Sequence, residues 1–180
     1  MTRTAYKHGL TVDGKPTTAA QLAALLAAPP APEPRYELRR VRINRALSDE
    51  TTYFSADIYL DGAKIGEASN HGTGGPNDWH IRNPATAATF ELHAHAWAER
   101  EGLDFEPVES FIDCLLDDVQ HRRTAKARAK KGYPVTALVR VGDDPLRAKF
   151  YLLSAKDRRG IEVQAAKMRA TVRRWYEEAA

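Results

Sequence analysis

The chain has 180 residues, 43% of them hydrophobic and 28% charged, with a formal net charge of +3. A chain of this length buries a core without a metal or disulfide staple, and its single cysteine, Cys114, excludes a disulfide framework and a cysteine-rich zinc site. No apolar run approaches the roughly 20 residues that span a bilayer, so the expected setting is cytoplasmic, with no membrane partner.

Residues 1–18 are polar, with a short β excursion expected at Leu10–Val12 that turns at Asp13-Gly14. Thr18, with Gln21 three residues on, makes a capping-box pattern and predicts a helix with Leu22, Leu25 and Leu26 along one edge. Ala19–Ala28 runs into prolines rather than a small-residue cleavage site, so it reads as a helix and not as a signal peptide. Pro29, Pro30, Pro32 and Pro34 end the helix and make a semi-rigid spacer. The expected organisation is therefore an appendage at 1–34 and a single domain at 35–180.

Tyr36–Ala46 reads as a strand whose apolar phase slips at Arg39-Arg40, the mark of a bulge or break. Phe54, Ala56, Ile58 and Leu60 alternate with Tyr53, Ser55, Asp57 and Tyr59, which predicts a half-buried strand. Asp61-Gly62 supplies the positive φ pair of a type I′ turn, and Ala63–Ala68 returns as the partner strand. A glycine-rich loop over 70–77 leads to a third strand at Trp79–Ile81.

Pro84 opens a helix with Phe90, Ala94 and Trp97 on one face, ended by Gly102. The next helix starts at Glu106 or Pro107, and its stripe of Val108, Phe111, Ile112, Leu115, Leu116 and Val119 is the clearest helical period in the chain. Gly132 stands where a left-handed residue closes such a helix. Val135, Ala137, Val139 and Val141 mark a strand, and Arg147–Leu153 comes back as a hairpin after the turn at Asp143-Asp144-Pro145. A final helix is expected from Gly160 to Glu177, on the spacing of Ile161, Ala165, Met168, Val172 and Trp175. The order after the N-terminal helix is ββββααββα, an α+β fold: one antiparallel sheet of about five or six strands with helices packed on one face.

Two constellations stand out as candidate sites. The first is the loop and its flanks: Asn70, His71, Gly72, Gly74, Gly75, Asn77, Asp78 and His80. Glycines let backbone amides approach a ligand, and such loops cradle phosphate. This one lacks the Lys-Ser/Thr of a P-loop and joins two strands, so a wide connection in which glycine serves geometry is the blander reading. The second is a basic C-terminal third. From His121 to Ala180 there are 16 Lys and Arg against 6 Asp and Glu, whereas 18 of the 24 acidic residues and only 11 of the 27 basic ones lie in the first 120. Arg122, Arg123, Lys126, Arg128, Lys130, Lys131, Arg140, Arg147, Lys149, Arg169 and Arg173 are its candidate contacts for nucleic acid or an acidic protein surface. The blander reading sets these charges against the acidic half of the same chain.

Other groups carry less. His93 and His95, two apart on a helix, point away from each other and do not chelate together, so no metal and no cofactor is expected. Cys114 sits among Phe111, Ile112 and Leu115 and reads as a packed thiol. No residue set marks a catalytic nucleophile, so no catalytic residue is assigned.

The run FSADIYLDGAKIGEASNHGTGGPNDW resembles a segment of small uncharacterised proteins of phages and mobile elements, in which a hairpin with a similar turn leads into an N-x-G-x-GG-x-N loop. The matching positions are Asp61-Gly62, Gly66, Asn70, Gly72, Gly74, Gly75 and Asn77; the likeness is specific over residues 54–79 and loose over 51–155. It implies a genomic setting, an accessory role such as interference with host machinery, and no particular chemistry. The leading expectation is a non-enzymatic binding protein that uses its basic third. The alternatives are a small-ligand (nucleotide or phosphate) or enzymatic site at the glycine-rich loop 70–80, and a structural or assembly protein that forms a homodimer through its hairpins.

Overall fold

The computed structural model describes residues 11–12, 15–16, 34–142 and 148–177. The chain divides into two compact units, Met1–Pro34 and Arg35–Ala180. In the first, β1 (Thr11–Val12) and β2 (Lys15–Pro16) pair antiparallel, and the turn expected at Asp13-Gly14 lies outside the described residues. The helix expected from Thr18 and the proline spacer that follows it lie outside the described residues.

The second unit is α+β, with two antiparallel sheets. The larger has the order β3 (Tyr36–Ile43), β4 (Phe54–Leu60), β5 (Ala63–Asn70), β6 (Asp78–Ile81). Its hairpin turns at Asp61 and Gly62, whose φ of 48° and 86° are the positive pair that the Asp-Gly signal requires. The expected bulge is in β3: the register shifts between Arg39 and Arg42, and Arg40 has φ 51°. Two helices cover one face of this sheet, α1 (Pro84–Glu101) and α2 (Pro107–Ala129). Asn83 caps α1 by accepting from the amides of Ala85 and Thr86, and Gly102 ends it in the left-handed conformation. Phe90, Phe111 and Ile112 meet Tyr36, Phe54 and Ile58 in the core. Burial of one such side chain contributes about 2–3 kcal/mol. His93 packs against the Tyr36 and Phe111 rings while His95 is exposed, which divides the histidine pair as the helical spacing predicts.

The smaller sheet corrects two expectations. It has the order β8 (Lys149–Ala155), β7 (Val135–Val141), β9 (Ala170–Glu177), so the last strands form a sheet of their own instead of extending the first. At 23 residues α2 is about 35 Å long and packs against β3 as well as β7, so its C-terminal end leads into the second sheet. The predicted final helix at 160–177 is only half helix. α3 (Arg158–Lys167), capped by Asp157, stops at Met168, Arg169 turns with φ 51°, and β9 follows. Val172 and Trp175 fit a helical stripe by spacing alone. Thr171, Val172, Trp175 and Tyr176 are also β-branched or aromatic, and the open side of β7 gives them a strand to pair with. The small core consists of Ala137, Val139, Ala155, Ile161 and Ala165, with Leu153, Val172 and Trp175 packed around it.

Candidate functional site

The glycine loop joins β5 to β6 and is organised around the buried side chain of Asn70. Its Oδ1 accepts from Thr51 Oγ1 at 2.7 Å and from the Gly72 amide at 2.8 Å. Its Nδ2 donates to the Gly75 carbonyl at 3.0 Å and to Asn77 Oδ1 at 3.1 Å. Asn77, also buried, fastens the loop to α2: its amide donates to Glu109 Oε2 at 2.6 Å and its Nδ2 to Asp113 Oδ1 at 3.0 Å. The Gly72 carbonyl accepts from the amides of Asp49, Glu50 and Thr51. Gly72 has φ 79°, and a Cβ there would stand 2.0 Å from the Leu47 carbonyl oxygen, so only glycine fits.

These bonds decide what the loop can do. The Gly72 amide donates to the buried Asn70 and the Gly74 amide, on the exposed side of the loop, to Thr51, so both already have acceptors within the protein. The adjoining cleft, about 770 Å³, is lined by Asp49, Glu50, Glu106, Glu109, Asp113 and Asp117. Burial raises the Glu109 carboxyl above its ordinary range, opposed by the hydrogen bond from Asn77 and reinforced by Asp113. Burial also raises Asp117. A negative cleft repels a phosphate or nucleotide.

The predicted loop residues therefore do not converge. Asn70, Gly72, Gly75 and Asn77 hold the loop together, and Gly74 abuts Glu50. His71 and Asp78 face outward, with Nε2 and Oδ2 3.5 Å apart and both side chains more than two-thirds exposed. His80 lies on the open face of the sheet, across from Glu67. Among the described residues, no group of three or more His, Cys, Asp or Glu is placed to hold a metal ion. Cys114 is half-buried, and burial pushes its thiol up to about 11, with Asp118 and Asp117 adding to the rise.

The basic candidates fall into two groups. Several are committed within the protein. Arg122 pairs with Asp118, which also receives Arg174 and the Tyr176 hydroxyl. Arg123 donates to the Val41 carbonyl of β3, and Arg128 to the Leu152 carbonyl and the Ser154 hydroxyl. Arg173 pairs with Glu101 at the end of α1. Arg140 is half-buried and partnered, and Arg147 lies outside the described residues. The second group is exposed and forms no ion pair among the described residues: Lys126, Lys130 and Lys131 at the end of α2, Lys149 at the start of β8, and Arg169 in the α3–β9 turn. Lys156, Arg159 and Lys167 around α3, basic residues of the same C-terminal third, join it.

Two features escaped sequence reasoning. The carboxylates of the cleft come from a turn and a helix about 60 residues apart, so no local pattern announces them. Phe150 and Tyr151, 53% and 40% exposed, stand beside Lys149 on β8, and their run without a neighbouring acid is the cue that was available. No family model, curated protein or solved structure matches the chain, and no helix among the described residues is long and apolar enough to cross a membrane.

Proposed function

We propose that this chain is a non-enzymatic binding protein whose C-terminal third engages a polyanion, with nucleic acid as the ligand. The observation that carries the reading is the residue of uncommitted cations. After the internal pairs of Arg122, Arg123, Arg128 and Arg173 are set aside, Lys126, Lys130, Lys131, Lys149 and Arg169 remain exposed without an ion pair among the described residues. Lysines without partners bind phosphate oxygens by releasing counterions from the nucleic acid, with no sequence reading. The exposed rings of Phe150 and Tyr151 next to Lys149 add surfaces on which single-stranded bases stack. The negative cleft at the far end of α2 orients the protein, because a phosphate backbone approaches the basic end and avoids the other. An accessory role in a phage or mobile element, in the cytoplasm, belongs to the same proposal and rests on the resemblance of residues 54–79.

The test is a salt titration of binding to duplex and single-stranded oligonucleotides. Lys130→Glu with Lys131→Glu removes two contacts and is expected to lower the log–log salt slope on duplex by about 1.8, with the melting temperature unchanged. Absence of binding by the wild type at low salt overturns the nucleic-acid reading. Binding to an acidic protein but to neither oligonucleotide would leave the basic surface in place with a different partner.

A further inference from the structure

The face of the larger sheet opposite α1 and α2 carries polar groups that neither the loop nor the basic third uses. Tyr36 and Leu38 face the core, and unbroken alternation would send Arg42 the same way. The bulge prevents this. The register shift between Arg39 and Arg42, with Arg40 at φ 51°, puts Val41 into the core and turns Arg42 to the open face. Left-handed backbone at a residue other than glycine is strained, and here the strain accompanies a re-aimed side chain.

The register then sets four polar residues in one row across all four strands: Arg42 beside Ser55, Ser55 beside Ser69, and Ser69 beside Asp78. They border a trough of about 550 Å³, a volume suited to a small ligand. The wall next to the row is already balanced in charge. Asp57 receives Arg40 and Lys64, and Lys64 also pairs with Glu67 at 2.7 Å. The row itself is uncommitted. Arg42 is exposed and forms no ion pair among the described residues, and the Ser55 and Ser69 hydroxyls make no hydrogen bond among them. Asp78 has the exposed His71 3.5 Å away and no other described partner.

The trough thus has a free cation at one end, a carboxylate at the other and two hydroxyls between. A simple anion on Arg42 gains nothing from Asp78, and a simple cation on Asp78 gains nothing from Arg42. We infer that the trough binds a short zwitterionic peptide, with its terminal carboxylate on Arg42 and its terminal ammonium on Asp78. The guanidinium fork matches a carboxylate, and each serine hydroxyl both donates and accepts, as a peptide unit requires. Three strand spacings, about 14 Å, separate β3 from β6. Three extended residues span about 10 Å, and the two charged side chains close the rest.

An NMR titration of the isotopically labelled full chain with trialanine tests this, beside N-acetyl-trialanine and trialanine amide, each of which lacks one charge. Trialanine is expected to bind in the millimolar range and to shift the amide signals of Ser55 and Ser69. Each blocked form is expected to bind about tenfold or more weakly. Arg42→Gln is expected to bring trialanine down to the affinity of its amide and to leave the amide unaffected. Asp78→Asn is expected to do the same with the acetylated form. Both positions are exposed, and circular dichroism checks that each variant keeps the fold. A saturating oligonucleotide is expected to leave the peptide bound, which separates this site from the basic third. Trialanine that shifts no signal, or blocked forms that bind as tightly as the free peptide, overturns the inference. So do variants that bind all three peptides like the wild type, or displacement of the peptide by the oligonucleotide.

Discussion

The two sheets solve opposite problems. Around the larger, the loop's buried amides are partnered, since Asn70 and Asn77 bind the loop to itself and to α2; on the open face Asp57 receives both Arg40 and Lys64, and the buried Tyr36 hydroxyl has no hydrogen-bond partner among the described residues. Around the smaller, the core is a handful of mostly small side chains, and lysines stand exposed without an ion pair among the described residues, beside the exposed rings of Phe150 and Tyr151. A glycine-rich polar loop draws attention to the first region, yet groups already satisfied within the protein have little to give a ligand. The uncommitted groups of the second are the ones available to a polyanion.

The largest expected effect tests the core side of this contrast. Phe90→Ala removes a fully buried ring that touches Tyr36, Trp79 and Phe111, and is expected to cost about 4 kcal/mol in a chemical denaturation. A loss below about 1 kcal/mol would mean that the larger sheet is not the tightly packed half. Next comes Asn70→Ala, which orphans the Gly72 amide and frees Asn77 from the loop; about 3 kcal/mol is expected, with binding to oligonucleotides unchanged in the folded variant. Loss of binding in that variant would return function to the loop.

The smallest effect concerns the cleft. Burial raises the folded-state carboxyl of Glu109 above its ordinary 4.5, so the protonated form favours the fold. Its ionisation is therefore a penalty that is present above the folded-state value and relieved as pH falls through it and below 4.5. Glu109→Gln still offers the Asn77 amide an acceptor, and a small rise in melting temperature is expected at neutral pH that fades in acid. A lower melting temperature at neutral pH would show that the charge itself holds the loop.

Much of the fold was legible because local chemistry dictates it. The turn at Asp61-Gly62, the slip at Arg39-Arg40, the stop at Gly102 and the stripe of α2 each depend on a few neighbouring residues. The loop was legible as a place but not as a role, since whether a glycine amide is free depends on Thr51, Glu109 and Asp113, which arrive from other elements. The list of basic residues held nothing to separate Arg128, which a strand carbonyl receives, from Lys130, which faces solvent.

By itself, then, the amino-acid sequence determined the hairpin, the two long helices, the charge asymmetry and the α+β class, all products of short-range pattern. Only the tertiary structure decided that residues 170–177 extend as a strand, that the strands divide into two sheets, and which charges are neutralised at home. The physical reason is the same each time. An open strand such as β7 or a carboxylate across a cleft exists only once distant segments have met.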